Sequence, residues 1–261
     1  MNVQMEAAEK ITESLKKDPL VKAVVLKGSL GRKEGDEFSD LDLYCFVDPE
    51  HKDEFLLRRV EHLAVYRPML FHESLFIIAP QIITVYDNLL HVDLFTVTEE
   101  TFKTTDYFTV LHDPENLLEQ FKAKQHLTLS DEEVEMQAFD IGWFLFQYRK
   151  AWNRGNDIWA VEALHLMTKY LTRVLLHRYA PHRAQLGMKD AMRSLPAEPL
   201  RALTEILETI TPENHERAMR KTIELLKAES LWLKEALGEE SKAYPFIKKM
   251  IEVLDGERVS S

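Results

Sequence analysis

Two hydrophobic rhythms run along the chain, and the change from one to the other divides it. Over residues 3–17, Val3, Ala7, Ile11 and Leu15 recur at near-helical spacing, which predicts an amphipathic helix ahead of the first strand. Residues 21–27 then read as a strand ending at Gly28-Ser29, and residues 41–47 as its neighbour, with a polar loop over 32–39 between them. A helical pattern returns over 51–66. Residues 75–79 and 82–86 are rich in β-branched and aromatic side chains and read as strands, with Pro80 either separating them or marking a bulge or edge. Asp87-Asn88 is a turn signal before the apolar alternation of 90–95, so a hairpin returns that segment to the sheet.

From about residue 113 the strand signals fade. Ser130-Asp131-Glu132-Glu133 has the capping-box pattern, and Val134, Ala138, Ile141, Leu145, Tyr148 and Trp152 follow at intervals of three and four as a buried helical stripe. Arg154-Gly155-Asn156 interrupts it, and Asp157 is placed to cap a second helix reaching about residue 179, which predicts a helical hairpin. Thr211-Pro212-Glu213 offers an N-cap with Pro at the first helical position. Beyond it Ile223, Leu226, Leu233 and Leu237 define another apolar face, and residues 244–254 close the bundle. The expectation is an α+β chain of two domains, a mixed sheet with flanking helices over residues 1–112 and an α-helical bundle over 113–261.

Composition narrows the function. Hydrophobic residues make up 45% and charged residues 30%, the balance of a globular chain able to bury a core. The formal net charge of −11 argues against a polynucleotide substrate, whose phosphates call for clustered Lys and Arg. Small acceptors, cationic ones in particular, suit an acidic cleft better. The single cysteine, Cys45, sits in an apolar run, so an intrachain disulfide and a Cys-based zinc cluster are both excluded. Residues 1–17 are of mixed charge, unlike a signal peptide, and no stretch has the length and apolarity of a membrane-spanning helix, so the expected location is the cytoplasm.

The chemistry concentrates in Gly28-Ser29-Leu30-Gly31-Arg32 and Ser39-Asp40-Leu41-Asp42-Leu43. Residues i and i+2 of a strand point the same way, so Asp40 and Asp42 project together while Leu41 and Leu43 enter the core. Paired carboxylates suit a hard cation such as Mg2+ that is shared with substrate phosphates. A Gly-Ser turn lets backbone amides approach those phosphates. By the same alternation Asp93 and His91 share a face, and Asp93 is the expected third carboxylate. A lone strand His is more often structural than a metal ligand, which leaves His91 outside the expected metal set. The competing reading of the acid pair is a surface turn followed by an edge strand with two solvated acids.

Gly28-Ser29, a polar loop, Asp40-Leu41-Asp42 and the later strand acid together resemble the nucleotidyltransferase superfamily that includes polymerase beta. Within it the chain is most similar to the lincosamide and aminoglycoside antibiotic nucleotidyltransferases. The signature covers roughly residues 20–97, with a weaker likeness through Arg154-Gly155 and the helix containing Glu162. The resemblance implies a polymerase beta-like N-terminal domain followed by a helical domain for acceptor binding or dimerisation. It implies a Mg2+-dependent transfer of a nucleoside monophosphate, AMP by expectation, from an NTP to a hydroxyl of a small molecule, with release of pyrophosphate. Asp40, Asp42 and Asp93 would hold the metal, and Gly28, Ser29 and Arg32 would contact the nucleotide phosphates. The family's second-domain glutamate base and phosphate-contacting lysine map loosely onto Glu162 and Lys169. In some relatives that pair lies a single turn apart, whereas Leu166 stands one turn after Glu162 here.

Glu162, His165, Lys169 and Arg173 share nearly one side of their helix, and a solvated polar stripe is the competing reading. Some antibiotic nucleotidyltransferases build each site from two subunits, so a homodimer is also implied. The alternative function, from a different class, is a non-catalytic nucleotide-binding regulatory or antitoxin-type partner protein, against which the long helical half weighs. A third is nucleotidylation of protein hydroxyls.

Overall fold

A computed structural model of the protein describes residues 3–257. The chain divides into two compact units, one running to His126 and the other starting at Leu127.

The first unit is a six-stranded mixed sheet with helices. In chain order it comprises α1 (Val3–Leu15), β1 (Val21–Leu26), the short α2 (Gly28–Gly31), β2 (Leu41–Val47), α3 (Lys52–Ala64), β3 (Met69–Phe76), β4 (Pro80–Tyr86), β5 (His91–Val97), β6 (Thr109–His112) and α4 (Glu119–Lys122). The strand order is β3-β4-β5-β2-β1-β6. Within the described sheet β2 and β5 pair in parallel, and its other strand pairings are antiparallel. Period-2 alternation gives each face its own core. Leu41, Leu43, Cys45 and Val47 pack with Ala7, Ile11 and Leu15 of α1 and Phe55 and Leu63 of α3. Tyr44 and Phe46 pack on the opposite face with Phe95, Phe102, Phe108 and Phe121.

Several expectations shift by a few residues. The strand expected over 75–79 is instead Met69–Phe76, because residues 77–79 form the hairpin bend and Pro80 opens β4 opposite Phe76, where its missing N–H costs no interior ladder bond. Strand β6 is an addition to the expected elements. The unit boundary falls after 126 rather than 112, since Leu118 and Phe121 are buried in the aromatic core of the sheet.

The second unit is helical: α5 (Asp131–Trp152), α6 (Asp157–Tyr179), α7 (Ala191–Ser194), α8 (Ala197–Leu207), α9 (His215–Leu237) and α10 (Ala243–Gly256). The capping box at Ser130 and Glu133 is formed in both directions. The cap of α6 is Asn156, not Asp157: its side chain accepts from the Trp159 N–H, and Asp157 lies one residue inside. Helix α9 begins at His215 rather than at Pro212, because Thr211 turns the chain first and its carbonyl accepts the His215 N–H. Helices α5 and α6 pack as the expected hairpin around Ile141, Leu145, Leu164 and Met167, closed by Ile223 and Leu226 of α9 and Ile247 of α10. Among the described residues, no helix is long and apolar enough to cross a membrane.

Candidate active site

The site lies on the aromatic face of the sheet. Parallel pairing of β2 with β5 sets Asp42 directly opposite Asp93, and the same register sets Tyr44 opposite Phe95. The two rings stack with centroids 4.4 Å apart. That stack is the next pair along the same face of the sheet, and burial together with the nearby Asp42, Asp106 and Asp93 charges pushes the Tyr44 hydroxyl pKa upward. Asp40 stands just before β2, half-buried.

The turn after β1 presses against Asp42. A hydrogen bond from the Lys27 N–H to the Asp42 carbonyl, 2.9 Å, extends the β1–β2 pairing past Leu26. Gly28 follows with φ +65°, and a Cβ there would fall 2.1 Å from Asp42 Oδ2. Both facts require glycine: the left-handed conformation is costly for other residues, and a methyl group would collide with the carboxylate. Ser29 donates to Ser39 Oγ at 3.1 Å, and the loop behind it is held by Gln4 of α1, whose Nε2 donates to the carbonyls of Asp36, Glu37 and Ser39. The expected phosphate-side residues Gly28 and Ser29 are thus next to Asp42 on a braced loop.

Arg32 is paired with two acids. Its Nη1 donates to Asp106 Oδ2 at 2.6 Å and its Nε to Glu34 Oε2 at 3.0 Å, with little of the side chain exposed. The guanidinium fastens the 28–34 turn to the loop bearing Asp106.

Asp93 is the most buried of the three acids and is held by two neighbours. Gln81 Nε2 donates to Asp93 Oδ1 at 2.8 Å, and His91 Nε2 lies 3.2 Å from the same oxygen. The hydrogen bond to Asp93 raises the imidazole pKa above that of an ordinary histidine, against the effect of burial. One ligand atom each from Asp40, His91 and Asp93 lies within 4.8 Å of the others. This donor set fits a divalent cation, and it includes the imidazole that sequence reasoning set aside. Asp42 is register-paired with Asp93, with its Oδ2 against Gly28.

Sequence patterns also missed Lys27. Its side chain is buried, and Nζ donates to the carbonyls of Lys103 and Thr105 at 2.8 Å each while lying 5.0 Å from the Tyr44 ring centroid and 4.9 Å from that of Phe102. Burial pulls its pKa down to about 8, opposed by Asp106 and Asp42. An apolar strand ending in Lys is a weak signal, because a terminal lysine is usually solvated.

In the helical unit, Glu162, His165 and Lys169 are exposed on α6, opposite its buried face of Ala163, Leu164, Met167 and Leu171, and Arg173 is half-buried against Gly187.

Residues 8–135 match the family model for a nucleotidyltransferase domain. Among solved structures, the chain is similar to an aminoglycoside 6-adenyltransferase from Bacillus subtilis, at 12% identity, 97% coverage of each chain and a TM-score of 0.39. It is similar also to a nucleotidyltransferase-like protein from Exiguobacterium sibiricum, at 13% identity, 98% of this chain, 91% of that one and a TM-score of 0.42. A third is the spectinomycin adenyltransferase from Enterococcus faecialis solved with ATP and spectinomycin, at 12% identity, 97% of this chain, 98% of that one and a TM-score of 0.35. No curated protein matches the chain.

Proposed function

Residues 8–135 form a nucleotidyltransferase domain, which makes the chain a transferase, and from that premise we propose that it moves a nucleoside monophosphate, AMP from ATP, to a hydroxyl of a small molecule. The observation that carries this reading is the register pairing of Asp42 with Asp93 across β2 and β5, with Asp40 beside them and the Gly28-Ser29 turn against Asp42. Carboxylates fixed on adjacent strands next to a closely approachable turn are what a cation-bridged triphosphate needs.

Asp40, Asp42 and Asp93 would hold the divalent cation, Mg2+ by this proposal. When bound, the cation supplies neutralisation of triphosphate charge and acidification of the acceptor hydroxyl. The remaining work belongs to the chain. Gly28 admits the terminal phosphates close to the backbone, and Ser29 offers a hydroxyl that now donates to Ser39. Gln81 holds Asp93 in one orientation. Arg32, tied to Glu34 and Asp106, is better placed to brace this turn than to travel to a phosphate. In the proposed step the acceptor oxygen bonds to the α-phosphorus, the bridging oxygen to the β-phosphorus departs with pyrophosphate, and the hydroxyl proton passes to a carboxylate. Glu162 is the proposed base and Lys169 the proposed phosphate contact, supported by the family resemblance and by the exposure of both side chains.

The acceptor class is proposed as a small, hydroxylated and cationic molecule, an aminoglycoside or lincosamide antibiotic being the type. A net charge of −11 supports a cationic acceptor over a polyanion. Pyrophosphate release from ATP, measured across a panel of aminoglycosides, lincosamides, sugars and protein hydroxyls, tests the reading. Release dependent on one acceptor and on divalent cation supports it. Tight nucleotide binding with no release for any acceptor would falsify it.

A further inference from the structure

We propose that His91 is itself a ligand of the divalent cation of this site, through Nε2, alongside Asp40 and Asp93. The inference rests on the nucleotidyl-transfer reading for the presence of a cation and goes beyond it in the donor set.

Geometry carries it. Octahedral ligands at 2.0–2.1 Å from a metal stand about 3 Å apart when adjacent. The separation of His91 Nε2 from Asp93 Oδ1 is 3.2 Å, and Asp40 completes a group of three ligand atoms within 4.8 Å of one another. A single proton between His91 Nε2 and Asp93 Oδ1 joins those two atoms only. Asp40 adds a third donor atom, which a cation can serve together with the other two. The position is braced from outside as metal ligands usually are: Gln81, 4% exposed, donates from Nε2 to Asp93 Oδ1, and its Oε1 has no hydrogen-bond partner. The strand makes this placement, since His91 and Asp93 are residues i and i+2 of β5 and share its outward face.

A nitrogen donor changes which ion the site prefers. An all-carboxylate site suits Mg2+, whereas an imidazole raises affinity along the first-row series, for Mn2+ and more so for Co2+. His91 would therefore make the site a mixed nitrogen-oxygen centre that holds Mn2+ more tightly than Mg2+.

The test uses the full chain with Mn2+ and inorganic tripolyphosphate, a nitrogen-free stand-in for the nucleotide phosphates, read by pulsed electron paramagnetic resonance. A 14N coupling on bound Mn2+ that changes to 15N on 15N-histidine labelling and disappears in His91→Phe is the expected result. The variant should also bind Mn2+ about tenfold more weakly. Bound Mn2+ with no nitrogen coupling, or a coupling that survives His91→Phe, overturns the proposal and leaves the nucleotidyl-transfer reading standing. No Mn2+ binding at all overturns both. Should His91→Phe fail to fold, His91→Gln takes its place, since an amide oxygen at this position leaves no histidine 15N coupling.

Discussion

Two sets of polar residues carry the proposed chemistry, and the chain treats them differently. The acids of β2 and β5 are fixed by strand register, flanked on their face by the stacked Tyr44 and Phe95 rings, and Asp42 lies so close to Gly28 that a single methyl group there would collide with it. Glu162, His165 and Lys169 stand exposed on α6, opposite the buried face that holds the helix, and Lys169 Nζ lies 5.8 Å from the Tyr170 ring centroid. In the first set the protein specifies side-chain position, so removing a charge tests chemistry with little change of structure. In the second it specifies only a direction, so chemistry must be read from kinetics.

The sharpest way to test this contrast is at the sheet. Asp42→Asn or Asp93→Asn should lower kcat/KM by about 10³-fold, the scale of losing one preorganised electrostatic group, with a nearly unchanged melting temperature. Wild-type activity in both variants would place the site elsewhere. At the helix, Glu162→Gln should lower kcat by about 10²-fold with little effect on KM if the carboxylate takes the acceptor proton. An unchanged kcat would reduce the α6 stripe to a solvated face.

Lys27, beside the Tyr44 and Phe102 rings, tests how tightly this face of the sheet is built. Its folded-state pKa, about 8, lies below the 10.5 of an ordinary lysine, so between those values the unfolded chain holds more of this proton than the folded one. Stability contributed through Lys27 therefore rises with pH across that window, by up to about 1.4 kcal/mol per pH unit. Denaturation of wild type and Lys27→Met from pH 7.5 to about 10.5 should show the difference between them growing in favour of wild type. A constant difference would mean the ammonium is not desolvated. The smallest expected effect is at Lys33, which sits at φ +63° in the turn braced by Arg32. Lys33→Gly should stabilise the protein by about 1 kcal/mol by removing a left-handed side chain.

Much of the sheet that bears the candidate site was legible in sequence because strand alternation is a short-range rule. Asp40-Leu41-Asp42 and His91-Val92-Asp93 each announce their faces, and the Asp87-Asn88 turn returns β5 to the sheet. What alternation cannot show is which strands meet: β2 and β5 are adjacent and parallel although β3 and β4 lie between them in sequence. Hence the convergence of His91 with Asp40, two strands apart along the chain, had no local signature. The same limit hid the pairing of Arg32 with Asp106, which is distant in sequence, and the role of Lys27, whose partners are backbone carbonyls. In the helical unit the stripes and the capping box were readable, whereas helix starts slipped by a residue or more where two cap-forming residues compete, as Asn156 and Asp157 do. Nothing in a helical pattern distinguishes a catalytic Glu162 from a solvated one.

The most direct measurement of the central claim is calorimetric titration of a non-hydrolysable ATP analogue with Mg2+ into wild type and into an Asp42→Asn/Asp93→Asn double variant of matched thermal stability. Cation-dependent binding to wild type that is lost in the double variant is the expected result. Equal binding by both proteins, or binding to wild type that is indifferent to the cation, would contradict it.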